Sequence, residues 1–156
     1  MFKSIVWATD GSEAADLALP YVRELAHAAD KLTVVHCEEF VLGPRSSGYT
    51  LHADEFDLKA KIELQVKELA EDAAEVKYTI AGAAAGGAAH KIAEVAADAG
   101  ADLIIVGTRG HTALGGLLLG SVTQRLLHIG PCPVLAIPAV AKAAEAPAED
   151  MEATTA

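Results

Sequence analysis

From residue 3 to residue 137 the chain alternates short apolar, β-branched runs with longer stretches in which apolar residues recur every three or four positions. Few architectures accept that order. The runs at residues 3–8, 32–37, 76–81, 103–107 and 133–137 have the length and composition of strands. Several are apolar throughout, as strands covered on both faces are. With helices between them the order is β-α-β-α-β-α-β-α-β, and right-handed crossovers then predict an open α/β sandwich: a five-stranded parallel sheet with helices on both faces.

The intervening stretches carry helix signals of different kinds. Over residues 12–29, Ala14, Leu17, Ala18, Tyr21, Val22 and Leu25 fall on one stripe, and Pro20 is expected to kink it by displacing a carbonyl and donating no hydrogen bond. Residues 53–71 place Glu55, Asp57 and Glu63 each four positions before a lysine, which supports a solvated helix. Residues 88–99 bury Ile92, Val95 and Ala96 and stop at Gly100, a suitable left-handed terminator. A last helix runs from Gly120 or Ser121 to Ile129 and ends at Gly130-Pro131. Outside this order stand residues 38–52, expected as a long loop, and the Ala/Glu/Pro/Thr-rich residues 139–156, expected as a disordered tail. At 156 residues, about half of them apolar, the chain has enough material for one buried core and too little for two.

A formal charge of −10 disfavours a general nucleic-acid binder, because a phosphate backbone would be repelled. Two cysteines, Cys37 and Cys132, form neither a metal-like spacing nor a disulfide framework, which fits a reducing cytoplasm. The start, MFKSIVWATDGSE, lacks the apolar core of a signal peptide, and no apolar stretch reaches the roughly 20 residues of a membrane span. A cytoplasmic protein without membrane insertion is expected.

The fourth apolar run opens into GTRGHTALGGLLLGS, five glycines in fifteen residues. Glycine lets backbone approach an anion, and the N-terminus of the following helix offers N–H groups without intrahelical partners. No Asp or Glu occurs from residue 103 to residue 144, although the chain holds 22, while Arg109 and Arg125 fall inside that zone. A negative protein that clears one loop-helix unit of carboxylates is suited to receive a negative ligand there; the alternative is that glycine serves tight packing alone. Gly115 and Gly120 imitate part of a P-loop, but Ser121 stands where that motif needs lysine, so a P-loop NTPase is disfavoured. A dinucleotide fingerprint would follow the first strand, where Ala8-Thr9-Asp10-Gly11-Ser12 stands instead. His128-Ile129-Gly130-Pro131 lacks the second histidine of an adenylyl-transfer box and is taken as a helix end.

Gly107-Thr108-Arg109-Gly110, nine residues, then Gly120-Ser121 fits G-x2-G-x9-G-S/T, the pattern of ATP-binding universal stress proteins. The resemblance extends to IVWATDGSEAADLAL, LTVVHC, DLIIVGTRG and PCPVLAIP, and so spans nearly all of residues 1–138 as one nucleotide-binding domain. It implies strand order 3-2-1-4-5 and ATP, with Mg²⁺ or Mn²⁺, held across the carboxyl ends of strands one, two and four. By that resemblance the phosphates meet Gly107, Thr108, Arg109, Gly110, Gly120, Ser121 and Val122. Asp10 meets ribose or the metal-phosphate region, Ala8 and Thr9 line the base, and the Cys37 backbone contacts adenine.

Each residue has a plainer alternative. Asp10 could be an N-cap with Glu13 completing the box, Cys37 a small buried hydrophobe, and His36 a structural histidine. His111 could approach phosphate, and Trp7 could flank the nucleotide but reads first as core. The glycine- and alanine-rich residues 81–87 depart from the family's pattern. With no lysine or water-positioning carboxylate in the glycine loop, a nucleotide-dependent regulatory protein with slow hydrolysis at most is expected. The alternatives are an AMP- or cyclic-AMP-binding module, or an ATP-using hydrolase or nucleotidyl transferase assisted by Asp10 or His111. In the family's strand order the last strand, Cys132 to Ile137, is an apolar edge bounded by Pro133 and Pro138, which predicts a homodimer through it.

Overall fold

The computed structural model describes residues 1–42, 49–50, 55–84, 87–108 and 119–139. In chain order the elements are β1 (Ser4–Ala8), α1 (Glu13–Asp16), α2 (Leu19–His27), β2 (Lys31–Leu42), β3 (Tyr49–Thr50), α3 (Glu55–Asp72), β4 (Val76–Ala84), α4 (Ala88–Asp98), β5 (Leu103–Gly107), α5 (Ser121–Ile129) and β6 (Val134–Ile137). Five strands form one parallel sheet in the order β4-β2-β1-β5-β6, which is the expected 3-2-1-4-5 once β3 is set aside. β3 adds two residues antiparallel to the end of β2, Val41 opposite Thr50 and Leu42 opposite Tyr49.

Strand alternation divides the core between the two faces. Ile5, Trp7, Leu32, Val34, Leu103 and Ile105 meet residues of α2 and α3, including Val22, Ala26, Ile62 and Leu69. Val6, Ala8, Val35, Ile104 and Val106 meet α4 and α5 through Ala89, Ile92, Ala96 and Leu126. Burial on both sides explains the uninterrupted apolar runs of β1 and β5, whose central residues are fully enclosed. Trp7 lies wholly inside the first cluster and cannot flank a ligand.

Three boundaries differ from the expected ones. β2 and β4 do not stop near Cys37 and Ala81; they continue in register, Glu38 beside Gly82 and Phe40 beside Ala84. Ladder hydrogen bonds between two long strands outweigh the weak strand propensity of Gly and Ala. Residues 38–42 therefore belong to β2 rather than to a loop. Pro20 does more than kink its helix: α1 and α2 are separate, with Pro20 in the first turn of α2, where its missing N–H has no intrahelical partner to lose. Gly100, at φ +58°, closes α4 as expected, with Ala101 N–H bonding Ala96 O at 2.9 Å and Gly100 N–H bonding Ala97 O at 3.0 Å.

Candidate functional site

β1 ends at Ala8, flanked by Val35 of β2 and Val106 of β5. β2 runs on to Leu42, whereas β1 and β5 stop at Ala8 and Gly107, which leaves a notch beside β2. The chain winds one way from β1 to β2 and β4, and the other way to β5 and β6. That reversal, at the carboxyl ends of the strands, is where open α/β sheets receive ligands.

The floor of the notch is held in place by hydrogen bonds that leave its backbone little freedom. Thr9 N–H donates to Val35 O at 3.0 Å, and the Thr9 hydroxyl accepts from Gly11 N–H at 3.1 Å. Asp10 Oδ1 accepts from the N–H and the hydroxyl of Ser12 at 3.0 and 2.6 Å. Ser12, rather than Asp10, caps α1, its Oγ accepting from Ala15 N–H at 3.2 Å. Gly11 has φ +75°, a conformation that favours glycine.

Helix α3 braces this turn from outside. Lys61 Nζ donates to Gly11 O at 2.8 Å and pairs with Asp16 at 2.5 Å, and Gln65 donates to the same carboxylate at 2.8 Å. Deeper in, His36 is buried with one ring nitrogen on Thr9 O at 3.1 Å and the other on the carboxylate of Glu55. A carbonyl only accepts, so the ring donates in the contact with Thr9 O. His36 is thus the structural histidine expected, tying the turn to the first residue of α3. Its partner Glu55, and the bracing by Lys61 and Gln65, carried no signal in the sequence, where all three look like members of a solvated face.

On the other wall the two described ends of the glycine-rich segment meet. Gly120 N–H bonds Thr108 O at 2.6 Å, and the Thr123 hydroxyl donates to Gly107 O at 2.7 Å. Ala139 N–H bonds Thr108 Oγ1 at 3.1 Å. The segment therefore leaves β5 and re-enters at α5 within hydrogen-bonding distance of where it left. Gly120 is the extended N-cap of α5 and offers no side chain, so Ser121 and Val122 begin the helix with no side-chain cap on their N–H groups. Ser121 is exposed and Val122 half-buried. Arg109, Gly110, His111, Gly115 and Gly116 lie outside the described residues. Cys37 is half-buried in β2, its thiol directed at Ala88 O at 3.7 Å, a weak contact that joins the notch to the start of α4.

Among the described residues no group of three or more His, Cys, Asp or Glu is arranged to hold a metal ion, and no helix is long and apolar enough to cross a membrane.

Fold and notch together define a doubly wound α/β protein whose winding reverses at the ends of β1, β2 and β5. A model of the universal stress protein family matches residues 1–138, and the chain belongs to that family. It is similar to a universal stress protein of Thermus aquaticus, 38% identical over 140 residues that cover 88% of this chain and 99% of the relative. A solved protein from Methanocaldococcus jannaschii superposes with a TM-score of 0.69 at 29% identity, covering 88% of this chain and 96% of that one. The universal stress protein of Archaeoglobus fulgidus in complex with dAMP has the same fold, with a TM-score of 0.63 at 23% identity over 86% of this chain and 97% of its own.

Proposed function

We propose that this protein binds ATP in the notch and acts as a nucleotide-dependent regulatory protein of the stress response, with slow hydrolysis at most. The observation that carries the reading is the closure of the glycine-rich segment: Thr108 O to Gly120 N–H, and Thr123 to Gly107 O, bring Gly107-Thr108 beside Gly120-Ser121. Two parts of one spacing pattern then lie side by side, with the uncapped N–H groups that begin α5 next to the end of β5. Phosphate suits that point, because uncapped N–H groups and the positive end of α5 attract an anion. In this assignment Gly107, Thr108, Arg109, Gly110, Gly120, Ser121 and Val122 serve the phosphates, Asp10 the ribose or metal-phosphate region, and Ala8, Thr9 and Cys37 the base.

The donor set fits a metal that arrives with the nucleotide. Mg²⁺ is commonly held by phosphate oxygens with one or two carboxylates, and Asp10 is the carboxylate of the notch floor. The bound ion would neutralise phosphate charge in a chain that is itself strongly negative. A monophosphate reading keeps a place because the Archaeoglobus relative holds dAMP. Residues 1–138 then form the nucleotide-binding domain of a cytoplasmic protein; of the expected tail, residues 140–156 lie outside the described residues. β6, paired on one side with β5 and carrying the half-buried Val134, Leu135 and Ala136, supplies the edge for a homodimer.

Calorimetric titration of nucleotide-stripped protein with ATP·Mg²⁺, AMP and cyclic AMP tests the reading. Saturable ATP binding is expected. No heat at millimolar ATP overturns it, and binding of AMP or cyclic AMP as tight as ATP favours the monophosphate alternative.

A further inference from the structure

A crevice of about 600 Å³ opens between the first turn of α4 and the length of α5, lined in part by Ala89, Ser121, Val122, Arg125 and His128. Ser121, Arg125 and His128 fall at i, i+4 and i+7, so they share one face of α5. Arg125 stands about 6 Å along the helix from Ser121. Side chains on a helix lean back toward its N-terminus, which carries a long guanidinium over the turn that Ser121 begins.

Arg125 is held there by His90 of α4, whose Nε2 lies 3.1 Å from Arg125 Nη2. Guanidinium nitrogens only donate, so Nε2 is the acceptor in this contact. Among the described residues no carboxylate pairs with Arg125. Glu94, one turn beyond His90 on α4, is engaged by Lys91 at 2.8 Å. In a chain with 22 acidic residues, an arginine propped by a histidine and with no acidic partner among the described residues is a cation kept available. It also sits in the stretch 103–144 that has no Asp or Glu.

We propose that Arg125, propped by His90, is the specificity-determining residue of this site. Its guanidinium takes the terminal phosphate of a nucleoside di- or triphosphate whose inner phosphates lie at Gly120-Ser121, and so selects polyphosphates over monophosphates. The inference rests on the nucleotide-binding reading above and names the ligand class for it. A planar guanidinium matches two phosphate oxygens at once, which a lysine ammonium cannot do.

The test is calorimetric titration of the full chain with ATP·Mg²⁺ and with AMP, on wild type, Arg125→Ala, Arg125→Lys and, as a control for net charge, Lys77→Ala on the exposed side of β4. Expected for Arg125→Ala is a rise of about tenfold or more in the ATP dissociation constant, with AMP changed less than about twofold. Arg125→Lys should fall between wild type and Arg125→Ala, and Lys77→Ala should match wild type. An unchanged melting temperature of ligand-free Arg125→Ala shows that the fold is intact. Equal weakening of ATP and AMP, no weakening of ATP, or an equal loss in Lys77→Ala overturns the assignment of Arg125. Wild-type protein that binds neither nucleotide instead overturns the functional reading beneath it.

Discussion

Replacing Gly11 by alanine tests how tightly the notch floor is held by α3. Gly11 has φ +75°, and a Cβ built there would lie 2.9 Å from Leu58 Cδ2, 3.3 Å from Leu58 Cβ and 3.5 Å from Ile62 Cδ1. The left-handed conformation alone costs an alanine about 1–2 kcal/mol, partly offset by about 0.4–1 kcal/mol because alanine restricts the unfolded chain. Gly100 isolates those two effects: its φ is +58° and a Cβ would meet nothing within 4 Å. Gly100→Ala should therefore lose about 1 kcal/mol. Gly11→Ala adds the displacement of Leu58, for which about 1–3 kcal/mol is usual when a packed site is overfilled. Leu58 Cδ2 ends a flexible side chain, so the lower end applies and the total should be about 2 kcal/mol. Urea unfolding of both variants and wild type measures this as a shift in midpoint at constant slope. The double variant Gly11→Ala, Leu58→Ala should be less damaged than the sum of its parts, because removing Leu58 makes room for the new methyl group. If Gly11→Ala is no worse than Gly100→Ala, the claim that α3 presses on this turn is wrong.

Thr123→Val keeps shape but removes the hydroxyl that bonds Gly107 O at 2.7 Å in a buried place. It should cost about 1–2 kcal/mol of stability and weaken ATP binding in the same titration, since it loosens the closure of the glycine segment; unchanged stability would refute the bond's importance. Tyr78 is pushed up to about 12, first by burial and then by Glu63 and Glu55. Its folded form keeps the proton that an unfolded tyrosine loses near its ordinary value of 10.0. The stabilising contribution is therefore complete below pH 10 and falls away as pH rises toward 12. Urea midpoints taken across that window should decline less in Tyr78→Phe than in wild type, and identical declines would count against the shift.

The alternation of strand and helix was legible because both faces of each central strand need apolar cover. Ile5-Val6-Trp7-Ala8 and Leu103-Ile104-Ile105-Val106 declare themselves without any neighbour. The last helix was equally plain, bounded by Gly120 and Gly130. What local pattern could not supply was the length of β2 and β4. Gly82 and Ala83 are poor strand formers, and only a partner strand running beside them keeps them extended.

The site divides in the same way. Sequence spacing picked out Gly107, Gly120 and Ser121, because an unusual density of glycine and an absence of carboxylates are properties of the chain itself. Asp10 was marked by its place after the first strand, but its role in the turn was not: the cap belongs to Ser12, and Asp10 Oδ1 holds Ser12 in place. Glu55 and Lys61 looked like two charges on a solvated helix. Only packing turns one toward His36 and the other toward Gly11 O. His90 and Arg125 are 35 positions apart and share nothing in pattern until α4 and α5 lie side by side. By itself, then, the sequence determined the fold class, the order of elements and the glycine-rich segment, all of which depend on periodicity and backbone freedom over a few residues. The tertiary structure decided which charged side chains face the notch and how the segment's ends meet, because those depend on contacts between elements that no local pattern encodes.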